Sequence, residues 1–278
     1  MKQVYFYQRT LGYLLVLVLL FMGVSCDPFD YSPNEVLLAS DEKNLNQKNI
    51  DKITALGITA TDTLRIALIS DTQRFYDETK KVVNVINDIN ANKKSRIHFV
   101  IHGGDISDFG LLEEYRWQHQ ILKKLAMPYV VVLGNHDCVA NGKKVYRNMY
   151  GPYDFSFQVG ANRFVFMNTN TMEFESDIPL FDYMENSLKD VNNYKNAFIV
   201  SHVAPYDPDY NRAKEEPFAS IVRNYKVKYS IHGHQHTHSF KQPYNDNQNY
   251  LIIGSVEKQS FVLMTIIGEK VTYEVIKF

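Results

Sequence analysis

The chain is 278 residues long, 45% hydrophobic and 22% charged, with a formal net charge of −1. Those proportions exclude an intrinsically disordered or collagen-like chain and fit a globular protein of one or two domains. The near-neutral balance carries no basic stripe, so no nucleic-acid partner is expected.

The N-terminal segment differs in kind from the rest. Lys2 and Arg9 precede LGYLLVLVLLFMGV (residues 11–24), an apolar run followed by Ser25, Cys26 and then polar sequence. A charged lead, an apolar core and small residues at its end describe a secretory signal. The other reading is a transmembrane anchor, which asks for roughly 20 apolar residues; the run reaches that length only if Tyr5–Phe6–Tyr7 extend it. GVSC resembles the processing site of a bacterial lipoprotein, with Gly23 standing where an aliphatic residue is usual. That resemblance implies a cut between Ser25 and Cys26, a lipid on Cys26, and an exported protein held to a bacterial membrane facing periplasm or exterior. Residues 1–25 are therefore expected to be a signal peptide, 26–62 a polar tether and lead-in, and 63–278 the functional domain. Cys138 would then be the remaining thiol, read as a buried small apolar residue.

Within the lead-in, NQKNIDKITAL has the composition of a short helix. LRIALIS (64–70) reads as a strand buried on both faces, and Val82, Val83, Ile86 and Ile89 recur at helical spacing. IHFVIHGG is strand-like, with Leu111, Tyr115, Leu122 and Leu125 marking one face of the next helix. YVVVLGN is a β-branched run. YDFSFQVGANRFVFMNT reads as an antiparallel hairpin, and LFDYMENSLKDV places Leu180, Met184, Leu188 and Val191 on one helical stripe. AFIVS is another strand, PFASIVRNYKV a helix leading into KYSIHG, and the last segment, from NYLIIGS onward, a set of antiparallel hairpins. Strands alternating with helices, plus hairpin blocks, give an α/β fold with a mixed sheet or two packed sheets and helices outside.

Five strand-like runs end in groups that bind cations. LRIALIS ends at Asp71, with Gln73 beyond it; FVIHGG ends at Asp105; VVVLG ends at Asn135–His136–Asp137; AFIVS ends at His202; KYSIHG ends at His234 and His236. Ligand sites of open α/β folds lie outside the carboxyl ends of strands. Taken singly these groups are ordinary, but HGHQHTH (232–238) holds four of the nine histidines. Carboxylate and amide oxygens suit hard divalent cations, and imidazole suits iron, zinc and manganese. A pair of such ions about 3.5–4 Å apart clamps both oxygens of a phosphoryl displacement and calls for a shared carboxylate, for which Asp105 is the candidate.

SDTQ, GDISD, GNHD, SH and GHQH resemble, in order, the blocks of calcineurin-like metallophosphoesterases over residues 64–238. The resemblance implies a four-layer αββα fold, a two-sheet sandwich flanked by helices. It implies two divalent metal ions (Mn, Fe or Zn, with Mn favoured). It implies hydrolysis of a small phosphate mono- or diester by in-line attack of a metal-bridging hydroxide. Carried over residue by residue, Asp71, Gln73, Asp105 and His236 would surround one ion, and Asp105, Asn135, His202 and His234 the other. His136 would face the scissile phosphate with Asn135 beside it, and Asp108 would orient His136. Arg74 is read as a surface arginine within reach of phosphate. His98, His102, His232 and His238 are read as structural. Where the family usually has histidine, this chain has Gln73. Its amide oxygen can still coordinate a hard cation, so it is read as a substituted ligand; the competing reading is a damaged site on a weak or inactive metal- or phosphate-binding protein. Loops at 138–160, 171–182 and 204–217 would select substrate, with SHVAPYDPDYNR at the pocket rim.

Overall fold

A computed structural model describes residues 13, 32, 35–92, 96–175, 177–225 and 227–278. The expected signal segment (apart from Tyr13) and Cys26 lie outside the described residues. Val36–Phe278 forms one compact unit. Among the described residues no helix is long and apolar enough to cross a membrane.

The first half runs α1 (Leu45–Thr54), β1 (Leu64–Ile69), α2 (Tyr76–Ala91), β2 (Phe99–His102), α3 (Leu112–Leu122), β3 (Tyr129–Val131) and α4 (Gly142–Met149). Next come β4 (Phe155–Val159), β5 (Asn162–Met167), α5 (Phe181–Leu188), β6 (Asn196–Ser201), α6 (Glu215–Asn224) and β7 (Tyr229–His232). The chain ends with β8 (Ser239–Lys241), β9 (Tyr250–Ile252), β10 (Ser260–Ile267) and β11 (Lys270–Lys277). One sheet has the order β11-β10-β1-β2-β3 and the other β4-β5-β6-β7-β9-β8.

Strand periodicity explains the layers. Leu64, Ile66 and Leu68 on one face of β1 join Phe164, Phe166, Phe198 and Val200 of the second sheet in a shared core. Ala67 and Ile69, on the opposite face, pack with Val82, Val83 and Ile86 of α2 and with Leu112 and Tyr115 of α3. Outside the second sheet, Val165, Met167, Ala197 and Ile199 meet Met184 and Leu188 of α5 and Phe218, Ile221 and Val222 of α6. The result is the helix–sheet–sheet–helix sandwich expected. Each buried Val, Leu, Ile, Phe or Met side chain among these contributes roughly 1.5–3 kcal/mol before the entropy of ordering it. The helix in the lead-in covers a sheet edge. Asn46 of α1 donates to the Val131 carbonyl and accepts from the Val131 N–H, both at 2.9 Å, which closes the free side of β3.

Several local expectations need correction. The C-terminal block is not one set of hairpins: β9 pairs in parallel with β7 and antiparallel with β8 in the second sheet, whereas the β10–β11 hairpin joins β1 in the first. A 3-10 turn at Val256–Lys258 stands between them; alternation marks a strand but not the sheet that receives it. The helical stripe of α5 stops at Leu188, and Leu180 and Val191 are 46% and 50% exposed. Residues 138–160 are largely α4 and β4 rather than a loop. Leu111 and Leu125 flank α3 instead of belonging to it.

Asp154, just before β4, accepts a 2.9 Å hydrogen bond from the Asn168 N–H. Burial lifts its pKa from an ordinary 3.8 to about 6. A carboxyl whose folded pKa exceeds its unfolded one opposes folding above the folded value, and that penalty fades as pH falls to the unfolded value. Asp154→Asn retains the acceptor and is expected to gain about 2 kcal/mol at pH 8, shrinking to nothing near pH 4. Denaturant unfolding at the two pH values checks it; an equal change at both would contradict the assignment.

Candidate metal centre

The carboxyl ends of β1, β2 and β3 in one sheet and of β6 and β7 in the other converge on one cluster. Just past these strands the backbone turns left-handed at non-glycine residues: Asp71 (φ 53°), Asp105 (φ 59°), His234 (φ 68°) and His236 (φ 55°). Such residues cost of order 1–3 kcal/mol each and gather at functional sites. Interlocked backbone bonds hold them there, with Asp71 N–H donating to Gly104 O and the Thr72 and Gln73 N–H groups both donating to Asp105 O. Close approach requires glycine at two places. A Cβ on Gly134 would lie 2.1 Å from Asp105 Oδ1, and one on Gly104, itself at φ +100°, 2.5 Å from His202 Nδ1.

Asp71, Asp105 and His202 are buried and offer ligand atoms within 4.8 Å of one another. His202 Nδ1 lies 2.7 Å from the Gly103 carbonyl, which only accepts, so Nδ1 carries the proton. Nε2 of the neutral ring is then a lone pair, yet it faces Asn135 Oδ1 at 3.0 Å and Asp105 Oδ2 at 3.3 Å. His234 repeats the pattern. Its Nε2 meets Asp209 Oδ2 at 3.1 Å, which leaves the Nδ1 lone pair 3.1 Å from the same Asn135 Oδ1. Four electron-pair donors thus face one another, an arrangement that demands positive charge among them. Without metal a proton on His202 meets that demand. Burial presses this imidazole down, but the Asp105 and Asp71 carboxylates outweigh it and lift the pKa to about 10. Burial likewise disfavours charge on Asp105, yet His202 holds it below its ordinary value. Asp71 is pushed up, chiefly by burial and also by Asp105.

Asp71 Oδ2 and Gln73 Oε1 are buried acceptors with no hydrogen-bond partner. Gln73 donates its Nε2 to Asp105 Oδ2 at 3.3 Å, and His236 Nε2 lies 3.5 Å from Asp71 Oδ1. Unpaired oxygens and opposed lone pairs are what a divalent cation satisfies, so the donor set fits metal. His136 sits at the edge. Its backbone N–H donates to Asp105 Oδ1 at 3.0 Å, and its Nδ1 donates to the Asp108 carbonyl at 3.1 Å, with Asp108 Oδ1 at 3.3 Å. That leaves Nε2 free for a substrate. Arg74, 61% exposed in its side chain, pairs with Asp108 at 2.9 Å. All ten residues singled out in the sequence therefore belong to one connected group, with Arg74 at its rim. A cleft walled by Cys138, Val139, Lys143 and Glu173 opens against Asn135 and His136. A larger hollow between α1 and α3 shares no residue with the cluster.

Sequence reasoning missed the residues that hold this group. Asp137, fully buried, accepts five hydrogen bonds. Its Oδ2 takes the Gly134 and Asp105 N–H groups, and its Oδ1 takes the Ile106 and Ser107 N–H groups and the Ser107 hydroxyl, at 2.8–3.0 Å. Ser255 donates to the Asp71 carbonyl at 2.9 Å. Asp137 stood in view beside His136, but nothing in its spacing tells a scaffold from a ligand. His102 and His232 are buried and neutral, desolvation driving both pKa values down to about 3. His102 accepts from the Gly104 N–H and bonds Thr72 Oγ1, His232 bonds Ser201 Oγ, and His98 accepts from the Arg65 N–H.

The family model of calcineurin-like phosphoesterases matches residues 64–238, which span every residue of the cluster. The chain belongs to the calcineurin-like phosphoesterase family. It is a hydrolase of phosphoester bonds. It is 25% identical over 214 residues to a 3',5'-cyclic-nucleotide phosphodiesterase from Nostoc sp., covering 72% of this chain and 77% of that one. A 68-residue stretch is 41% identical to "Probable glycerophosphodiester phosphodiesterase GpdQ" of Arcobacter nitrofigilis, 24% of each chain. A dimetal phosphatase from Danio rerio has the same fold, with TM-score 0.63 and 14% identity over 76% of this chain and 95% of that one. A purple acid phosphatase from yellow lupin superposes with TM-score 0.64 and 14% identity over 79% of this chain and 52% of the other.

Proposed function

We propose that the protein is a phosphodiesterase working with two divalent ions, manganese favoured. Asp71, Gln73, Asp105 and His236 would hold one ion and Asp105, Asn135, His202 and His234 the other. The observation that carries this reading is the crowding of ligand atoms at Asn135, where one nitrogen each of His202 and His234 meets the same amide oxygen and Asp105 Oδ2 lies against the His202 nitrogen. When bound, such ions would supply the chemistry of activating water and neutralising phosphate charge. The chain's own residues do the rest. Asp105 would serve both ions, and it fixes the His136 backbone by accepting its N–H. Asp108 holds His136 Nδ1–H, so that Nε2 is presented to the leaving oxygen and can pass it a proton.

Charge around the cleft favours a diester. Arg74 is tied to Asp108, Lys143 is drawn to the Glu173 carbonyl, and Glu173, Asp207 and Asp209 add acidity. A monoanionic diester asks for less positive charge than a dianionic monoester, and the two relatives named as phosphodiesterases agree with that preference. We further propose that the enzyme is exported and held to a membrane by lipid on Cys26, acting on a small phosphoester rather than on nucleic acid. Release of nitrophenol from bis- and mono-nitrophenyl phosphate tests the substrate class. The reading predicts a kcat/KM at least about tenfold higher for the diester, a difference of roughly 1.4 kcal/mol; the reverse order would make the enzyme a monoesterase.

A further inference from the structure

The loop after β6 carries two carboxylates that the reaction as described does not use. Asp209 Oδ2 lies 3.1 Å from His234 Nε2, and Asp207 Oδ1 lies 3.6 Å from the same nitrogen. Asp207 is 5% exposed and acts as a clamp. Its Oδ2 accepts from Gln235 Nε2 at 2.7 Å, and its Oδ1 accepts from the Asp209 N–H at 3.0 Å. The loop is braced again where the Asn211 N–H donates to Thr171 Oγ1 at 2.9 Å. These contacts aim the Asp209 carboxylate at one ring nitrogen of His234, across two segments 25 residues apart in sequence.

We infer that Asp207 and Asp209 are positioning residues for His234. Asp209 keeps the proton on Nε2, so that the Nδ1 lone pair faces the ion expected beside Asn135. This inference rests on the dinuclear reading above. A neutral imidazole carries one proton, and its two tautomers are close in energy in water. A carboxylate on Nε2 settles the choice and fixes the ring plane. The strained backbone at His234 (φ 68°) then delivers a ring already in the ligating tautomer. Asp209 is the direct partner. Asp207 acts one step back, by fixing Asp209 and by locking Gln235, the residue between the two histidines of the GHQH turn.

The test is a calorimetric titration of the metal-free protein, wild type and variants, with manganese alone. Histidine nitrogen NMR of the same metal-free samples provides a second readout. Loss of such a carboxylate costs about 10–100-fold in metal affinity. Asp209→Ala is expected to weaken one of two manganese sites by that factor and to remove the Nε2–H tautomer signal of His234. Asp209→Asn keeps an oxygen that accepts the same N–H and should restore most of both. Asp209 is 61% exposed in its side chain, so neither change threatens the fold. Wild type binding two ions, with Asp209→Ala binding both unchanged, would overturn the positioning role and leave the dinuclear reading standing. Wild type binding no manganese would overturn both. A third ion per chain, lost in Asp209→Ala, would make these carboxylates ligands and overturn the inference as well.

Discussion

Asp105→Asn is expected to lower metal-dependent hydrolysis by at least about a thousandfold, roughly 4 kcal/mol of barrier, with a smaller loss of stability in the metal-free protein. The two halves of that result have different causes. Turnover falls because Asp105 would serve both proposed ions and also holds the His136 N–H. Stability falls less because two effects of the buried Asp105 charge oppose each other: it pairs with the protonated His202, which holds its carboxyl below the ordinary value, and it repels its acidic neighbours. Its charge adds to the burial that raises the pKa of Asp71, and to the burial that raises Asp137 to about 6. An amide at position 105 gives up the charge pairing with His202 and removes that repulsion, while keeping an acceptor. Thermal unfolding with and without manganese separates the effects. Wild type should gain stability on adding metal, and Asp105→Asn should gain little. A variant that retains more than about a tenth of wild-type turnover would remove Asp105 from the centre.

Asp137→Ala is expected to produce the opposite pattern, a structural failure first and a catalytic one in consequence. Five donors would lose their acceptor inside the protein, among them the backbone N–H groups of Gly134 and Asp105. Each unsatisfied buried donor costs about 1–3 kcal/mol, although water and local relaxation recover part of the total. A net loss of about 4 kcal/mol lowers the melting temperature by roughly 10 °C in a domain of this size. Asp137→Asn keeps one acceptor oxygen and should fall between. Because these donors sit in the loops carrying Asp105, Asn135 and His136, the folded remainder should bind manganese more weakly. A change under about 1 kcal/mol would mean that water replaces this carboxylate and that the loops hold themselves.

The contrast between these two aspartates shows what could be read from the chain. Asp105, Asn135, His202, His234 and His236 each follow a β-branched or aromatic strand and a glycine or small residue, so alternation and punctuation place them at one sheet edge. Those cues are local, which is why the layers and the ligand candidates were legible. Asp137, Asp207, Asp209 and Ser255 act across 25 residues or more, or through backbone groups, and their own surroundings look like ordinary turns. Two acids spaced one apart, after a strand that ends in histidine, were a usable signal for Asp207 and Asp209. The destination of β9 was not legible, because the strand pattern is the same whichever sheet receives it. Gln73 is the instructive intermediate case. Its motif places it two residues after Asp71 at the strand end, and its buried Oε1 without a partner is an oxygen that a hard cation would satisfy.

The most direct measurement joins metal content to turnover in one sample. Protein beginning after Cys26 is stripped with chelator, titrated with manganese, and assayed on bis-nitrophenyl phosphate at each addition. A dinuclear enzyme shows no turnover once stripped and a rise that follows occupancy of the second ion, reaching its plateau at two ions per chain. Turnover untouched by stripping, or absent with two ions bound, would contradict the dinuclear reading.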